Sequence, residues 1–340
     1  MVTLSQVREE LQLCKRPLFL FDDDADGLAS FLLLYKHINE GKGMPVKHAG
    51  GVDETFLRKV KEYEPDKVFI LDIPNVSQGF LDEVKVPVIW IDHHPPQKRS
   101  KVIYYNPLLE DPDTHKPTSW ICYEIVKENL WIAMTGIIGD WTFPEKLASQ
   151  FRQEFAELLP EEVSSPDEAL FTTQVGLLAK IFNFVLKGNQ SSFRKCIAVL
   201  TRINDPYEIL NRTTPQGTFI YKKFEEMNKT YTDLWESAKK NVDESLIVFS
   251  YKGELSFTSE LSNELLFRNP GKVIIVAREK SGHMRSSLRS PKGISIRDAL
   301  NKIMPVFNAR GGGHENACGT SIEVVVWQDF ISEMKRELNL

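Results

Sequence analysis

The stretch Leu18-Phe19-Leu20-Phe21-Asp22-Asp23-Asp24-Ala25-Asp26-Gly27 decides the fold. Its four consecutive apolar residues are followed at once by acids, so the run is too short for a helix. It reads as a strand buried on both faces, the mark of a parallel sheet. Asp22, Asp24 and Asp26 alternate, so in extended chain they share one face while Asp23 points away. Four carboxylates in five residues repel one another strongly unless cations are close. Gly27 permits a tight turn into the next segment.

Working outward, Val68–Leu71 and Val88–Ile91 read as strands of the same kind. Leu28–Ile38 is helical by period, and Glu54–Tyr63 is an amphipathic helix. This βαβ rhythm predicts an open α/β sheet with its ligands at the C-terminal strand ends. Trp131–Asp140 is apolar and predicted helical, ending near a Thr142–Pro144 turn. From residue 166 to 242 the pattern is helical throughout, running through Phe219, Phe224 and Tyr231. Strands return at Leu246–Tyr251, Lys272–Ala277, His283–Leu288 and Ile322–Trp327, with helices at Thr258–Leu266, Ile296–Ile303 and Gln328–Leu338. The expected organisation is a parallel-sheet domain over residues 1–190, a helical extension and linker over 191–243, and a smaller α/β domain over 244–340. No internal repeat or low-complexity tract interrupts it.

Composition supports two ordinary cores. The 340 residues are 42% hydrophobic and 26% charged, which excludes a disordered chain, a collagen-like fibre and a disulfide-stapled mini-protein. No apolar run approaches the roughly 18–20 residues of a membrane span. Met1–Lys15 lacks an apolar h-region, so no secretory signal is expected and the protein is placed in the cytoplasm. Cys14, Cys122, Cys196 and Cys318 form no CxxC pair and are expected as reduced thiols. The net charge of −5 is unevenly spread. Lys272 to His314 holds nine Lys and Arg against two acids, +7, which leaves −12 for the rest of the chain. An acidic body with one basic segment can hold a cation and an anion side by side.

Further acids follow the other apolar runs. Asp72 ends Val68–Leu71, Asp92-His93-His94 follows Val88–Ile91 and is stopped by Pro95-Pro96, and Asp140 follows Gly136-Ile137-Ile138-Gly139. A lone Asp after a strand is usually a turn or helix cap. Several at one sheet edge are hard to dismiss together. Carboxylates with imidazole, and no thiolate spacing, point to Mn²⁺, or Mg²⁺, rather than structural zinc. Six ligand candidates suit a pair of ions about 3.5–4 Å apart. His37, His48, His115 and His283 have no such context and read as structural. Trp141 and Phe143 could stack on a base, with core packing the simpler reading.

DxDxDG, a strand-end Asp, DHH and G-x-x-G-D together resemble the four motifs of the DHH phosphoesterase superfamily. Arg310-Gly311-Gly312-Gly313-His314, with Ala317-Cys318-Gly319, is similar to the GGGH motif of its DHHA1 domain, and Ser286–Ser290 to the strand that precedes it. Asp22-x-Asp24-x-Asp26-Gly27 looks like RecJ-type exonucleases rather than nano-RNases, and the length suits the compact archaeal RecJ-like nucleases of the Hef-associated kind.

The resemblance implies a DHH domain, a helical linker and a DHHA1 domain with the active site in the cleft between them. It implies two divalent ions. Asp22 and Asp24 would hold one, Asp26 and His93 the other, with Asp72 bridging and Asp140 completing the first site. Asp72, His93 and His94 would carry the hydrolysis, His94 through the phosphate or by supporting a ligand. Arg289, Gly311, Gly312, Gly313 and His314 would clamp the substrate's phosphate. Arg285 and Arg278 could line the same groove.

The implied activity is a single-strand exonuclease on DNA or RNA, with 3′→5′ digestion favoured. The implied partners are single-stranded nucleic acid and a replication or repair helicase-type protein, with a homo-oligomer possible and no membrane. A nano-RNase or pAp phosphatase and a non-catalytic replication scaffold remain open alternatives. GGGH is not the C-terminal motif of family II pyrophosphatases, which sets that reading aside.

Overall fold

In the computed structural model, which describes residues 2–47, 50–240 and 245–340, Leu18–Asp22 is a strand (β1) at the centre of a parallel sheet. His48 lies outside the described residues, as do 241–244, where the expected linker ends. The chain forms two units, Met1–Glu225 and Glu226–Leu340.

Unit one begins with α1 (Leu4–Gln12), β1, α2 (Ala25–Ile38), β2 (Lys42–Val46), α3 (Leu57–Tyr63), β3 (Val68–Leu71), α4 (Gln78–Glu83), β4 (Val88–Ile91) and β5 (Ile103–Tyr105). The five strands lie in the order β2-β1-β3-β4-β5, all parallel. Alternation sorts the sheet into two faces. Leu18, Leu20, Ile70 and Trp90 pack into one core. Phe19 and Phe21 turn the other way, with ring centroids 5.5 and 5.0 Å from Phe31 of α2. β2 and β5 carry too little hydrophobic pattern to be read in the sequence: Lys42-Gly43-Met44-Pro45-Val46 holds a glycine and a proline and survives as an edge strand.

α2 packs on β1, and further helices follow: α5 (Thr118–Val126), α6 (Leu130–Gly139), α7 (Glu145–Phe155), α8 (Pro166–Thr172), α9 (Gln174–Val185), α10 (Gln190–Leu200) and α11 (Pro206–Leu210), of which α5, α6 and α9 pack on α2. α2 is capped by Asp24, whose carboxylate accepts from Gly27 N at 2.9 Å, and every residue from Ala25 to Leu34 is buried. Gly27 therefore sits inside the first helical turn. α6 is also buried from Leu130 to Ile138. The two meet through small residues: a Cβ added at Gly139 would come within 2.7 Å of Ala25 Cβ. This close approach brings Asp140, which caps the C-terminus of α6, to the start of α2.

The long helix α12 (Pro215–Ala238) carries the chain into unit two, which continues with β6 (Leu246–Lys252), α13 (Thr258–Arg268), β7 (Val273–Lys280), β8 (His283–Arg289), α14 (Ile296–Ile303), β9 (Arg310–His314), β10 (Ala317–Glu323) and α15 (Trp327–Glu337). The sheet order is β6-β7-β8-β10-β9, with β6 and β7 parallel and the remaining pairs antiparallel. Ile275, Leu288, Leu300, Ile322, Phe330 and Met334 form its core.

The structure corrects one expected strand. The strand expected at Ile322–Trp327 ends at Glu323; Val324–Val326 is a 3-10 turn with Val325 80% exposed. Trp327 starts a helix whose Trp327, Phe330, Ile331 and Met334 face inward, and this periodicity overrides the β preference of three valines. The glycine run Gly311–Gly313, expected to contact the substrate's phosphate, lies on the exposed edge strand β9.

Among the described residues no disulfide joins the four cysteines, and no helix is long and apolar enough to cross a membrane.

Candidate metal centre

Parallel strands deliver their C-terminal ends to one edge, and the acids collect there. Asp22 ends β1, and Asp72 follows β3. Asp72 is 2% exposed and adopts the left-handed conformation, φ 61°, which Asp tolerates better than most residues. His93 follows β4 and places Nε2 at 3.3 Å from Asp72 Oδ1 and 3.7 Å from Asp140 Oδ2. Asp22, Asp24 and Asp72 bring one oxygen each to within 4.8 Å of one another. Asp72, His93 and His94 do the same, as do Asp26, His93 and Asp140. Asp72 and His93 each belong to two of these groups. Asp140 is grouped with His93 and Asp26.

Asp26 differs from its neighbours. It is 1% exposed and both oxygens are engaged: Oδ2 accepts from Thr118 N at 2.7 Å, Oδ1 from Ser119 N at 2.9 Å and from the Ser119 hydroxyl. A carboxylate offers about four lone-pair sites, and three are used. Asp26 therefore anchors the N-terminus of α5 on α2, where the orphan N–H groups of a helix favour an anion. It also stands in one ligand group with His93, the residue it is expected to share an ion with, and with Asp140. Sequence reasoning misses Thr118 and Ser119, because Pro117-Thr118-Ser119 reads as an ordinary turn.

It misses Asp92 as well. This residue is fully buried, 2.8 Å from His94 Nδ1, with Tyr104 Oη and Asn106 Nδ2 each 3.5 Å from its other oxygen. A signal exists, since Asp92 and His94 are two apart in extended chain and share a face. An ionised Asp92 can only accept, so it fixes the proton on Nδ1 and leaves Nε2 of His94 to act. His94 lines a cavity of about 280 Å³ with Asp22, Asp23, Lys47 and Pro74.

The electrostatics are those of a site short of positive charge. Burial, then Asp24 and Asp23, push Asp22 up to about 8, and burial, then Asp26, push Asp24 up to about 6. Burial and the neighbouring carboxylates raise Asp72 and Asp140 well above the usual range. Burial lowers His93. For His94 the pull of burial is outweighed by the Asp92 hydrogen bond and the charges of Asp92, Asp22 and Asp24, and its pKa rises. Among the described residues, no Lys or Arg pairs with Asp22, Asp24, Asp72 or Asp140; Lys47 lies 3.5 Å from Asp23. Convergent carboxylates with one or two imidazoles and no counter-cation fit divalent ions of the Mn²⁺ and Mg²⁺ type.

The sequence profile of the DHHA1 domain matches residues 244–340. Residues 244–340, the larger part of unit two, thus match the DHHA1 domain. Solved structures extend the likeness to the whole chain. An exonuclease RecJ bound to manganese is 16% identical, with a TM-score of 0.64 over 100% of this chain and 95% of that one. RecJ from Thermus thermophilus in complex with Mn²⁺ is 17% identical with a TM-score of 0.69, and this chain spans only 54% of its length. A pGpG-specific phosphodiesterase from Vibrio cholerae is 15% identical, with a TM-score of 0.54 over 96% of this chain and 99% of that one. At these identities the likeness is one of fold: a RecJ-like DHH/DHHA1 fold. None of the curated proteins compared matches the sequence.

Within the DHHA1 domain, Arg289 ends β8 and is held from inside. Its Nε donates to Asn263 Oδ1 at 2.6 Å and its Nη1 to Leu288 O at 2.9 Å, and burial lowers its pKa to about 10. On β9, a Cβ at Gly311 would lie 2.4 Å from Gly319 O and one at Gly313 2.3 Å from Ala317 O, whereas one at Gly312 meets nothing within 4 Å. His314 ends that strand and is exposed. Arg278 is buried and donates to Glu254 O, so it is not a groove residue; Arg285 is exposed. Trp141 is 40% exposed with its ring 5.7 Å from Phe171, and Arg152 stacks over Phe143.

Proposed function

We propose that this protein is a metal-dependent phosphodiesterase that removes nucleotides from the end of single-stranded DNA or RNA, in the 3′→5′ direction. The observation that carries the reading is the meeting of Asp22, Asp24, Asp72, His93 and Asp140 at one sheet edge without a counter-cation, on a RecJ-like fold. Asp22 and Asp24 would hold one divalent ion, His93 and Asp140 a second, and Asp72 both. Such ions supply an activated water and neutralise charge on the phosphoryl group being attacked.

The chain's own residues supply the rest. Asp72, held by the Thr118 hydroxyl at 3.2 Å, keeps one fixed orientation between the two ligand groups. Asp92 holds His94 so that Nε2 can donate to a non-bridging phosphate oxygen, and the raised pKa keeps His94 protonated further up the pH scale. Arg289, pre-oriented by Asn263, and the open backbone at Gly312 with His314 are the proposed contacts to the substrate's phosphate. A cytoplasmic location and a helicase-type replication or repair protein as the class of partner belong to the same proposal.

Single strands labelled at either end, as DNA and RNA in a length series, test this with Mn²⁺ present. Stepwise shortening of long strands supports an exonuclease. Activity confined to a few nucleotides supports the nano-RNase alternative, and no hydrolysis of any length supports the scaffold.

A further inference from the structure

A second cavity lies apart from the acid cluster in unit one, at the outer edge of β2. Its volume is about 700 Å³, within the range of roughly 300–1,000 Å³ typical of ligand pockets. Lys42, Lys59, Arg194 and Arg202 line it, and no acid does. Arg194 and Arg202 are exposed and form no ion pair among the described residues. The part-exposed rings of Tyr35 and Phe56 share the lining. Lys59 lies 3.4 Å from Glu62; in a chain of net charge −5, the other three cations interleaved with aromatics form a local excess of positive charge.

This groove and the cavity that holds Asp22 and His94 are separate, and each is lined by residues of the segment 42–47. β2 lines both, with Lys42–Pro45 on the groove and Val46 and Lys47 on the cavity. The Lys47 ammonium lies 4.6 Å from the ring centroid of Phe193, which belongs to the groove wall, and donates to Leu186 O. Lys47, which also lies 3.5 Å from Asp23, stands between the two linings in sequence and in contact.

We propose that the β2 groove is a track for single-stranded nucleic acid, holding nucleotides of the strand remote from the phosphate being cleaved. The inference rests on the nuclease reading. Cations meet the backbone, and Tyr35 and Phe56 offer faces on which bases stack without regard to sequence.

The test compares the full-length protein with the double variant Arg194→Glu, Arg202→Glu. Both positions are exposed, so the variant should keep the wild-type melting temperature. With Mn²⁺ present, the ratio of kcat/KM on a strand of about 20 nucleotides to kcat/KM on a dinucleotide should fall about tenfold, the scale of one lost charged contact. Without metal, binding of the same strand should lose about 1.4 from its slope of log affinity against log salt, about 0.7 for each lost phosphate contact. The neutral pair Arg194→Gln, Arg202→Gln should fall between. An unchanged ratio and an unchanged slope would overturn the track while leaving the nuclease reading intact. A wild-type protein that cleaves dinucleotides yet does not bind the longer strand would overturn it too. If the wild type cleaves neither substrate, both readings fall.

Discussion

Asp26 and Asp72 are two buried carboxylates with different tasks. Asp72 stands between the ligand groups, so Asp72→Ala should abolish Mn²⁺-dependent hydrolysis while the fold survives, and relief of carboxylate repulsion should raise the metal-free melting temperature. Turnover near wild type at saturating Mn²⁺ would remove Asp72 from the site. Asp26→Asn should cost stability. An amide places a donor against the N–H groups of Thr118 and Ser119, at a cost of about 2–3 kcal/mol. Urea unfolding reads that loss, and an unchanged stability would show that these bonds do not anchor α5. In the sequence the two roles are indistinguishable, because alternation puts Asp26 on the same face as Asp22 and Asp24. Once α2 begins at Ala25 that alternation no longer applies, and a helical turn sends Asp26 towards α5. Asp92 is legible only through its two-residue spacing from His94, a weak signal beside two adjacent histidines.

β9 shows what an element can hide. Three glycines have no hydrophobic alternation and no β propensity, so nothing local marks them as a strand; pairing with β10 makes it one. The strand then separates the glycines by function. Gly311→Ala or Gly313→Ala should destabilise the DHHA1 domain by about 1–3 kcal/mol, because a Cβ at either would collide with the β10 backbone. Gly312→Ala faces open space and should leave the stability within about 0.5 kcal/mol of wild type. If ligand phosphate approaches that backbone, Gly312→Ala should instead raise KM. Equal melting temperatures for all three variants would show that the register is wrong. The buried strands β1, β3 and β4 are legible because four apolar residues between turns admit few readings. The edges β2 and β5 are not, since an edge strand needs little hydrophobicity of its own.

Across the whole molecule, the parallel sheet, the helical stretch and the second mixed sheet follow from the order of periodicities along the chain. The grouping of ligands does not, because it depends on how α2, α5 and α6 cross. That crossing concentrates carboxylates, and stability should respond. Asp22 and Asp24 have folded-state pKa values of about 8 and about 6, above the 3.8 of an ordinary Asp, so the metal-free folded state holds more protons than the unfolded chain. Their contribution is full below pH about 4 and is lost as pH rises through about 6 and then about 8. Metal-free protein should therefore melt lower at pH 8 than at pH 6, and Mn²⁺ should lift the melting temperature most at pH 8. A melting temperature flat over this range without metal would contradict the picture. The same carboxyl protons give ion uptake a thermal signature. Each ligand must shed its proton before it can bind, so near pH 7 loading the site acidifies the solution. Titration calorimetry in two buffers of unequal ionisation heat would then give different apparent enthalpies, and their difference counts the protons displaced.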